Sequence, residues 1–246
     1  RVLAFCRQHG KAKIGIQLAH AGRKASAQRP WEGRGPLLPK EGAWETIAPF
    51  PLPGSGAGSG ATPVSERAWP LPRMMDRAEM DTVTAAFVQA TRRSDRLGIN
   101  LIELHMAHGY LMHAFLSPIS NQRNDDYGGS RENRMRYPLE MFDAVRAAWP
   151  EKKPLGVRIS STDWVAGGWD IADSVAFAAE LKKRGCDYIC ASSGGVSEKQ
   201  KLALGPGYQV PFAERVRRET GIATMAVGMI LEPDYAESLV ADGKAD

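Results

Sequence analysis

One unit recurs along this chain: a helical segment ends at a glycine, and an apolar run begins two to four residues later. Glycine suits the left-handed backbone position that stops a helix, and a short apolar run after it is typical of a parallel strand buried on both faces. The helix-stopping glycines are predicted to be Gly10, Gly98, Gly185 and Gly221. Strands are predicted at residues 14–18, 101–104, 155–159, 188–191 and 223–227, the third of them after Pro154 instead of a glycine.

Amphipathic helices are predicted between these strands. Asp76 and Glu79 have the spacing of a capping box, in which the two residues satisfy each other's backbone N–H groups. Pro138 predicts a helix start or a kink, because proline lacks the N–H that a helix interior needs. Strands that alternate with helices predict βα units and a parallel sheet. The apolar stripes at helical spacing are Met80, Val83 and Phe87; Leu139, Phe142 and Val145; and Ile171, Val175, Ala178 and Leu181.

The chain length suits one large domain of this type. It has 246 residues, and (β/α)8 barrels typically need about 250. Residues 1–8 resemble the end of a helix whose own strand is missing, and a closed barrel would need two strands before Arg1 and one after Asp246. We therefore predict an α/β fold, a (β/α)8 TIM barrel that is incomplete over residues 1–246, with about five strands present and N- and C-terminal strands missing.

A stretch rich in Gly, Pro, Ser and Trp interrupts the repeat at about residues 20–75. No helix is expected there, because glycine and proline break helices. The stretch follows the first predicted strand, and loops in this position lie over the barrel face that carries active sites. We expect a lid or a substrate-facing cap. A solvated linker is the alternative, above all for residues 54–61, which begin with GSGAGSG.

Charge and cysteine content exclude several classes of function. The formal net charge is only +4, and the basic residues are scattered, which does not indicate a nucleic-acid partner. No run approaches 18 apolar residues, so no membrane span is predicted. The cysteines are Cys6, Cys186 and Cys190, an odd number without a CxxC pair. This pattern argues against a disulfide framework or a zinc ribbon and is consistent with the reducing cytoplasm.

Polar residues occupy strand positions that should face the barrel interior. Alternate residues of a strand point to opposite faces. If the apolar residues face the helices, three strands direct Gln17, His105 and Arg158 toward one interior, together with Glu103.

Arg158 then needs a partner, because an unpaired guanidinium in a dry interior is costly. Glu103 could supply one. The other interpretation is a ligand that carries negative charge near a ring, and the small residues Gly15 and Gly156 predict room for such a flat ligand.

The segment LIELHMAHGYL at residues 101–111 carries the most informative side chains. Two neutral imidazoles, His105 and His108, can both donate to one oxygen, and the nearby phenol of Tyr110 can deliver a proton. Two alternatives stay open at this point. The histidines could be structural, or they could bind a metal if His113 or His20 supplied a third ligand.

These motifs resemble those of the old yellow enzyme family, in particular its bacterial xenobiotic and thermophilic-type ene-reductases. HxxHGY followed by the long asparagine-arginine-tyrosine stretch is the most specific part, and the matches run through nearly the whole chain in family order. The matching segments are GIQLAHAGRK at 15–24, HMAHGY at 105–110, SNQRNDDYGGSRENR at 120–134, GVRIS at 156–160, GPGYQV at 205–210 and AVGMI at 226–230.

The resemblance implies an FMN-dependent oxidoreductase that transfers hydride from NADPH or NADH to an electron-poor alkene such as an enone or a nitro compound. It implies that Gln17 hydrogen-bonds the flavin pyrimidine edge and that Arg158 lies near flavin N1 and C2=O. It also implies that Gly228 belongs to the loop that approaches the FMN phosphate, with a plain turn glycine as the alternative.

For the substrate, the resemblance implies that His105 and His108 bind the carbonyl or nitro oxygen and that Tyr110 is the proton donor. The long stretch at 20–75 departs from typical members, which leaves open a reductase half of a larger fused enzyme that acts on an acyl-CoA thioester. A dienoyl-CoA reductase-like member, with an iron–sulfur cluster, and a non-catalytic barrel are further alternatives. No metal site is expected in this chain, and a homo-oligomer or a larger fused chain is the expected assembly.

Overall fold

The computed structural model describes residues 1–33, 35–54 and 68–246. Its helices and strands alternate over most of this length. In chain order they are α1 (Val2–His9), β1 (Gly15–Leu18), β2 (Ile47–Ala48), β3 (Arg73–Met74), α2 (Arg77–Arg96), β4 (Leu101–Met106), α3 (Leu111–Leu116), α4 (Arg131–Ala148), β5 (Leu155–Ser160), α5 (Ile171–Lys183), β6 (Tyr188–Ser192), α6 (Val210–Thr220), β7 (Ala223–Ala226) and α7 (Pro233–Ala241).

Five strands form one parallel sheet in the order β1-β4-β5-β6-β7. They are the five strands that the glycine–strand pattern predicts, with bounds that differ by one or two residues, so the α/β class is confirmed. Each strand pairs with the next one along the sheet, as expected for consecutive βα units. The register places Gln17 opposite Glu103, and Arg158 between His105 and Cys190.

The hydrophobic core lies between the sheet and its helices. Ile102, Leu104, Val157 and Ile189 are almost completely buried in it, which confirms that these strand residues face the helices. Their neighbours in sequence therefore face the opposite side of the sheet. Alternation along the strands thus directs the polar residues Glu103, His105 and Arg158 to that other face.

The start of α2 follows the predicted capping box. The Asp76 carboxylate accepts from the Glu79 N–H at 2.9 Å, and Glu79 accepts from the Asp76 N–H at 3.1 Å. In α4, by contrast, Pro138 lies in the helix interior and does not mark its start. The helix begins at Arg131, because the Ser130 hydroxyl accepts from the Asn133 N–H and caps it there.

Three of the four predicted helix-stopping glycines adopt the left-handed conformation. Gly98, Gly185 and Gly221 have φ values of 68°, 81° and 64°. Gly10 also ends its helix, as the residue that follows α1, but its φ is −140°, in the extended region, so only the expected left-handed conformation is wrong there. Helix α1 has no buried residue, and the chain leaves it in an extended conformation toward β1.

The described part of the 20–75 stretch contains three short 3₁₀ turns and the parallel pair β2–β3, and no α-helix. It is attached to the rest of the fold by buried arginines. Arg23 donates to the carbonyl groups of Pro53 and Val196 at 3.0 and 2.6 Å. The predicted linker at 54–61 lies outside the described residues from position 55 onward.

The second attachment comes from the segment SNQRNDDYGGSRENR. Arg123, only 7% exposed, donates to the carbonyl groups of Pro49 and Met75 at 3.0 and 2.8 Å and pairs with Asp125. Asn121 donates to the carbonyl oxygen of Tyr127 at 2.7 Å. These contacts make the segment a brace between the barrel and the 20–75 stretch. No helix in the described ranges combines the length and apolarity needed to cross a bilayer.

We expect Arg123→Met to lower the free energy of unfolding by about 2–4 kcal/mol, because two buried carbonyl groups lose their donor. Urea unfolding of the variant measures the change. Arg218→Met is the matched control, because the Arg218 side chain is 64% exposed and forms an ion pair with its exposed neighbour Glu219. Equal stability of the Arg123 and Arg218 variants would contradict the bracing role.

Candidate active site

The candidate site lies at the carboxyl ends of β4, β5 and β6, the edge at which parallel barrels carry their chemistry. His105 is in β4 and only 7% exposed, and Arg158 is its register partner in β5. His108 and Tyr110 follow in the turn after β4. The structure therefore places the sequence-predicted substrate residues and Arg158 in one region.

The three aromatic side chains are in direct contact. The His108 Nδ1 atom lies 3.4 Å from His105 Nε2, and the two rings are 5.0 Å apart between centroids. Tyr110 packs edge-on against His105 at 4.9 Å. Two adjacent imidazole nitrogens with a phenol beside them can bind one substrate oxygen and place a proton donor nearby.

Both imidazoles are neutral at physiological pH. Burial lowers the pKa of His105 to about 4, and the positive charge of Arg158 contributes to the shift. Burial, followed by neighbouring His105 and Arg158, lowers the pKa of His108 to about 2. A neutral imidazole keeps one N–H donor and one lone pair, so each ring can act as a hydrogen-bond donor without carrying charge.

The backbone of His108 is held in a conformation that non-glycine residues rarely adopt. Its φ is 59°, which costs roughly 1–3 kcal/mol. The His108 N–H donates to Ser160 Oγ at 2.9 Å, and its carbonyl oxygen accepts from Lys24 Nζ at 2.7 Å. Lys24 also donates to the Gly195 carbonyl at 2.5 Å. Groups from β5 and from the loops after β1 and β6 thus fix this turn.

Lys24 is half-buried, and desolvation, with a contribution from the Arg23 guanidinium, lowers the pKa of its amine to about 7. Lys24 belongs to the GIQLAHAGRK motif, but no role was predicted for it. Ser160 and Ser192, whose Oγ lies 2.8 Å from His108 Nε2, were missed as well. Their position at the last residue of β5 and of β6 was the available signal, because strand ends line barrel active sites.

The turn after β4 also packs backbone against backbone with the loop after β6. A Cβ atom on Gly109 would lie 2.4 Å from the Gly195 carbonyl oxygen, so only glycine fits there. The Gly109 N–H donates to His113 Nδ1 at 2.8 Å, and His113 Nε2 lies 3.0 Å from Asp163 Oδ1 in full burial. His113 therefore serves the backbone of the turn.

The metal alternative required His113 or His20 beside the first two histidines. His20 is also engaged elsewhere, since its Nδ1 accepts from the Gly22 N–H at 3.0 Å. Residues 1–33, 35–54 and 68–246 contain no group of three or more His, Cys, Asp or Glu side chains that could hold a metal ion.

Arg158 has an unmet hydrogen-bonding requirement. Its Nε is buried without a hydrogen-bond partner, and among the described residues no carboxylate lies within ion-pair distance of it. Glu103, the alternative partner, instead accepts from Gln17 Nε2 at 2.6 Å. A buried donor of this kind, next to two neutral imidazoles, fits an electron-rich or anionic planar group such as the FMN ring system.

The two glycines expected to leave room for a flat ligand do not do so. A Cβ atom at Gly156 would lie 2.2 Å from the Tyr188 ring, and one at Gly15 would lie 2.8 Å from Leu101. The prediction of free space at these positions is wrong, because side chains of neighbouring strands fill it. The glycines instead permit those side chains to pack.

Gly228 follows β7 with a φ of 109°, and its carbonyl oxygen accepts from the Gly207 N–H at 2.8 Å. An added Cβ would lie 2.9 Å from Gln209 Nε2. The backbone therefore requires glycine here, as both the phosphate-loop and the plain-turn interpretations demand.

The sequence and fold match known proteins over nearly all of this chain. The pattern of the NADH:flavin oxidoreductase / NADH oxidase family matches residues 7–246. An NADPH dehydrogenase of Geobacillus sp. (strain WCH70) is 44% identical over 243 residues, which are 99% of this chain and 63% of that protein. The chain thus spans less than two thirds of the length of this relative.

Among solved structures, morphinone reductase in complex with tetrahydroNAD aligns with a TM-score of 0.73 and 26% identity, over 100% of this chain and 63% of that chain. A 2-naphthoyl-CoA reductase complex aligns with a TM-score of 0.80 and 24% identity, over 99% of this chain and 36% of that chain. These likenesses confirm the prediction of a TIM-barrel fold.

The buried histidines predict a pH dependence of stability. In the unfolded chain, both imidazoles take up protons as the pH falls below their ordinary pKa of 6.5. In the folded protein, His105 takes up its proton only near its pKa of about 4, and His108 only at still lower pH. The free energy of unfolding should therefore fall as pH is lowered through this range.

Urea unfolding at about pH 7 and about pH 5 measures this loss, and the double variant His105→Asn, His108→Asn should reduce it. His9→Asn, an exposed position on α1, serves as the control and should retain the full loss. The same loss in the double variant would contradict the prediction.

Proposed function

The chain belongs to the NADH:flavin oxidoreductase / NADH oxidase family, as its old yellow enzyme motifs predict, and on that premise we propose that it is the active-site part of an FMN-dependent NAD(P)H oxidoreductase. The proposed substrates are small electron-poor alkenes, such as enones or nitro compounds. When bound, FMN would supply the hydride chemistry, with NADPH or NADH as the source of the hydride. The residues of this chain bind, orient and protonate the reactants.

The observation that carries the proposal is the unpartnered Nε of Arg158 beside His105. A guanidinium at this position stabilises negative charge on a bound ring system. We assign Arg158 to the electron-rich edge of FMN and Gln17 to its pyrimidine edge, since Gln17 keeps its amide oxygen free of the Glu103 contact. The backbone near Gly228 is assigned to the phosphate, which amide N–H groups bind well.

His105 and His108 are assigned to the activating oxygen of the substrate. Their adjacent nitrogens can donate two hydrogen bonds to one carbonyl or nitro oxygen, and both rings are neutral. Negative charge develops on this oxygen during the reaction. Hydrogen-bond donors that are already in position stabilise that charge and lower the activation barrier. The fixed backbone of His108 supports this role, because the ring needs no reorganisation when the substrate binds.

Tyr110 is assigned as the general acid that protonates the carbon next to the activating group. Its ring packs edge-on against His105, which places the phenol beside one member of the proposed oxygen-binding pair. The proposed domain is a part of a TIM barrel over residues 1–246, with the 20–75 stretch as a cap. Three free cysteines are consistent with the predicted cytoplasmic compartment, and we keep the prediction of a homo-oligomer or a larger fused chain.

Arg158→Met should lower the reduction potential of bound FMN by at least several tens of millivolts. Loss of one buried charged partner costs about 2–5 kcal/mol, and about 30 mV corresponds to 1.4 kcal/mol for a two-electron couple. Potentiometry on the whole FMN-loaded protein measures the shift.

Arg158→Lys keeps the charge and should shift the potential less. Arg184→Met should leave it unchanged, because Arg184 lies at the carboxyl end of α5 and pairs with Glu180 and Asp143. An Arg158→Met protein with bound FMN and an unshifted potential would refute the assignment of Arg158.

Tyr110→Phe should slow alkene reduction by roughly 100- to 10,000-fold, the usual contribution of a general acid. Reduction of FMN by the nicotinamide should stay nearly intact, because that half-reaction needs no proton from this phenol. Stopped-flow measurement of the two half-reactions separates the effects. The control is Tyr127→Phe, because the wild-type Tyr127 hydroxyl contacts Glu140 on α4. Equal slowing of both half-reactions by Tyr110→Phe would assign Tyr110 a structural role.

A further inference from the structure

Ser192, the last residue of β6, contacts the nitrogen of His108 that faces away from His105. Its Oγ lies 2.8 Å from His108 Nε2, while His108 Nδ1 is 3.4 Å from His105 Nε2. Ser192 is 3% exposed, so water does not readily replace it. One nitrogen of His108 thus faces the proposed substrate oxygen and the other faces a buried hydroxyl.

This arrangement couples the Ser192 hydroxyl to the tautomer of His108. A neutral imidazole carries its proton on one nitrogen only. If the proton is on Nδ1, His108 can donate to the substrate oxygen and Nε2 accepts from Ser192. If the proton is on Nε2, it points to Ser192, and the Nδ1 lone pair faces the substrate oxygen and repels it.

The Ser192 proton has a second possible acceptor, the Gln209 side-chain oxygen at 3.3 Å. That oxygen already accepts from Ser193 Oγ at 2.5 Å, and the His108 contact is the shorter one for Ser192 by 0.5 Å. The local hydrogen bonds therefore favour donation from Ser192 to His108 Nε2. The second ring nitrogen of a functional histidine is commonly fixed by such a hydrogen bond.

We propose that Ser192 is a positioning residue that keeps the His108 proton on Nδ1, where it can be donated to the substrate oxygen. The proposal rests on the proposed function, because it assumes that His108 binds that oxygen. It adds a requirement that the two histidines alone do not meet, since a neutral His108 with the opposite tautomer would oppose oxygen binding. The serine acts through His108 and does not touch the reacting atoms.

The test compares Ser192→Ala with Ser94→Ala in the whole FMN-loaded protein, because Ser94 is a buried serine of α2 whose hydroxyl donates to the Ala90 carbonyl oxygen at 2.9 Å. Nitrogen-15 NMR of histidine-labelled protein reports which ring nitrogen of His108 carries the proton. We expect Nδ1–H in the wild type and in Ser94→Ala, and a shift toward Nε2–H in Ser192→Ala. Ser192→Thr retains the hydroxyl and should restore the wild-type tautomer.

A para-substituted phenol is the binding probe, titrated through its long-wavelength charge-transfer band with the flavin. We expect Ser192→Ala to raise the dissociation constant of the phenol about tenfold, the effect of losing roughly one hydrogen bond. Ser94→Ala and Ser192→Thr should stay within about twofold of the wild type on the same scale. If Ser192→Ala does not fold, Ser192→Cys provides a weaker donor and should give an intermediate shift.

The outcomes separate the two proposals. Nε2–H in the wild type, or an unchanged tautomer in Ser192→Ala and Ser192→Cys, would overturn the role of Ser192 even if the enzyme is active. A wild-type protein that binds no FMN, or gives no phenol band, would refute the proposed function, and the tautomer measurement would still decide the inference about Ser192.

Discussion

The geometry of the site depends on the His108 peptide being held in a left-handed conformation. The hydroxyl of Ser160 and the amine of Lys24 bind its N–H and its carbonyl oxygen, and they offset the strain that a non-glycine residue carries there. Because these two groups come from separate segments of the fold, the turn after β4 cannot adopt its shape alone. The position of the imidazole beside His105 is therefore a property of the assembled barrel edge.

Features that depend on near neighbours in the chain could be predicted from the sequence. The five strands and the Asp76 cap were confirmed, because apolar period and capping spacing act over a few residues. Gly156 was misjudged because the Tyr188 ring that fills its space comes from the adjacent strand. Of the two alternatives for Pro138, the helix start is excluded, because the cap at Ser130 determines where α4 begins.

The same limit applies to the site. The proximity of His105, His108, Tyr110 and Arg158 could be predicted, because motif and strand alternation placed them at one barrel edge. The partners of His108 could not, since Lys24 and Ser192 each lie 84 positions away from it in the chain. A hydroxyl or an amine at a strand end has no pattern of its own in a single sequence, and only the fold shows which group it faces.

The direct contact between the backbones at Gly109 and Gly195 has a consequence for protein engineering. Because neither glycine tolerates a side chain at this junction, the two loops form a matched pair whose surfaces are made of peptide groups. Transplanting the HxxHGY loop into another barrel would require that the loop after β6, which carries Gly195, be transferred with it, and a library that randomises one loop would have to vary the other as well. The modular unit of this barrel edge is therefore a discontinuous one, and recombination between homologues should preserve both loops from the same parent.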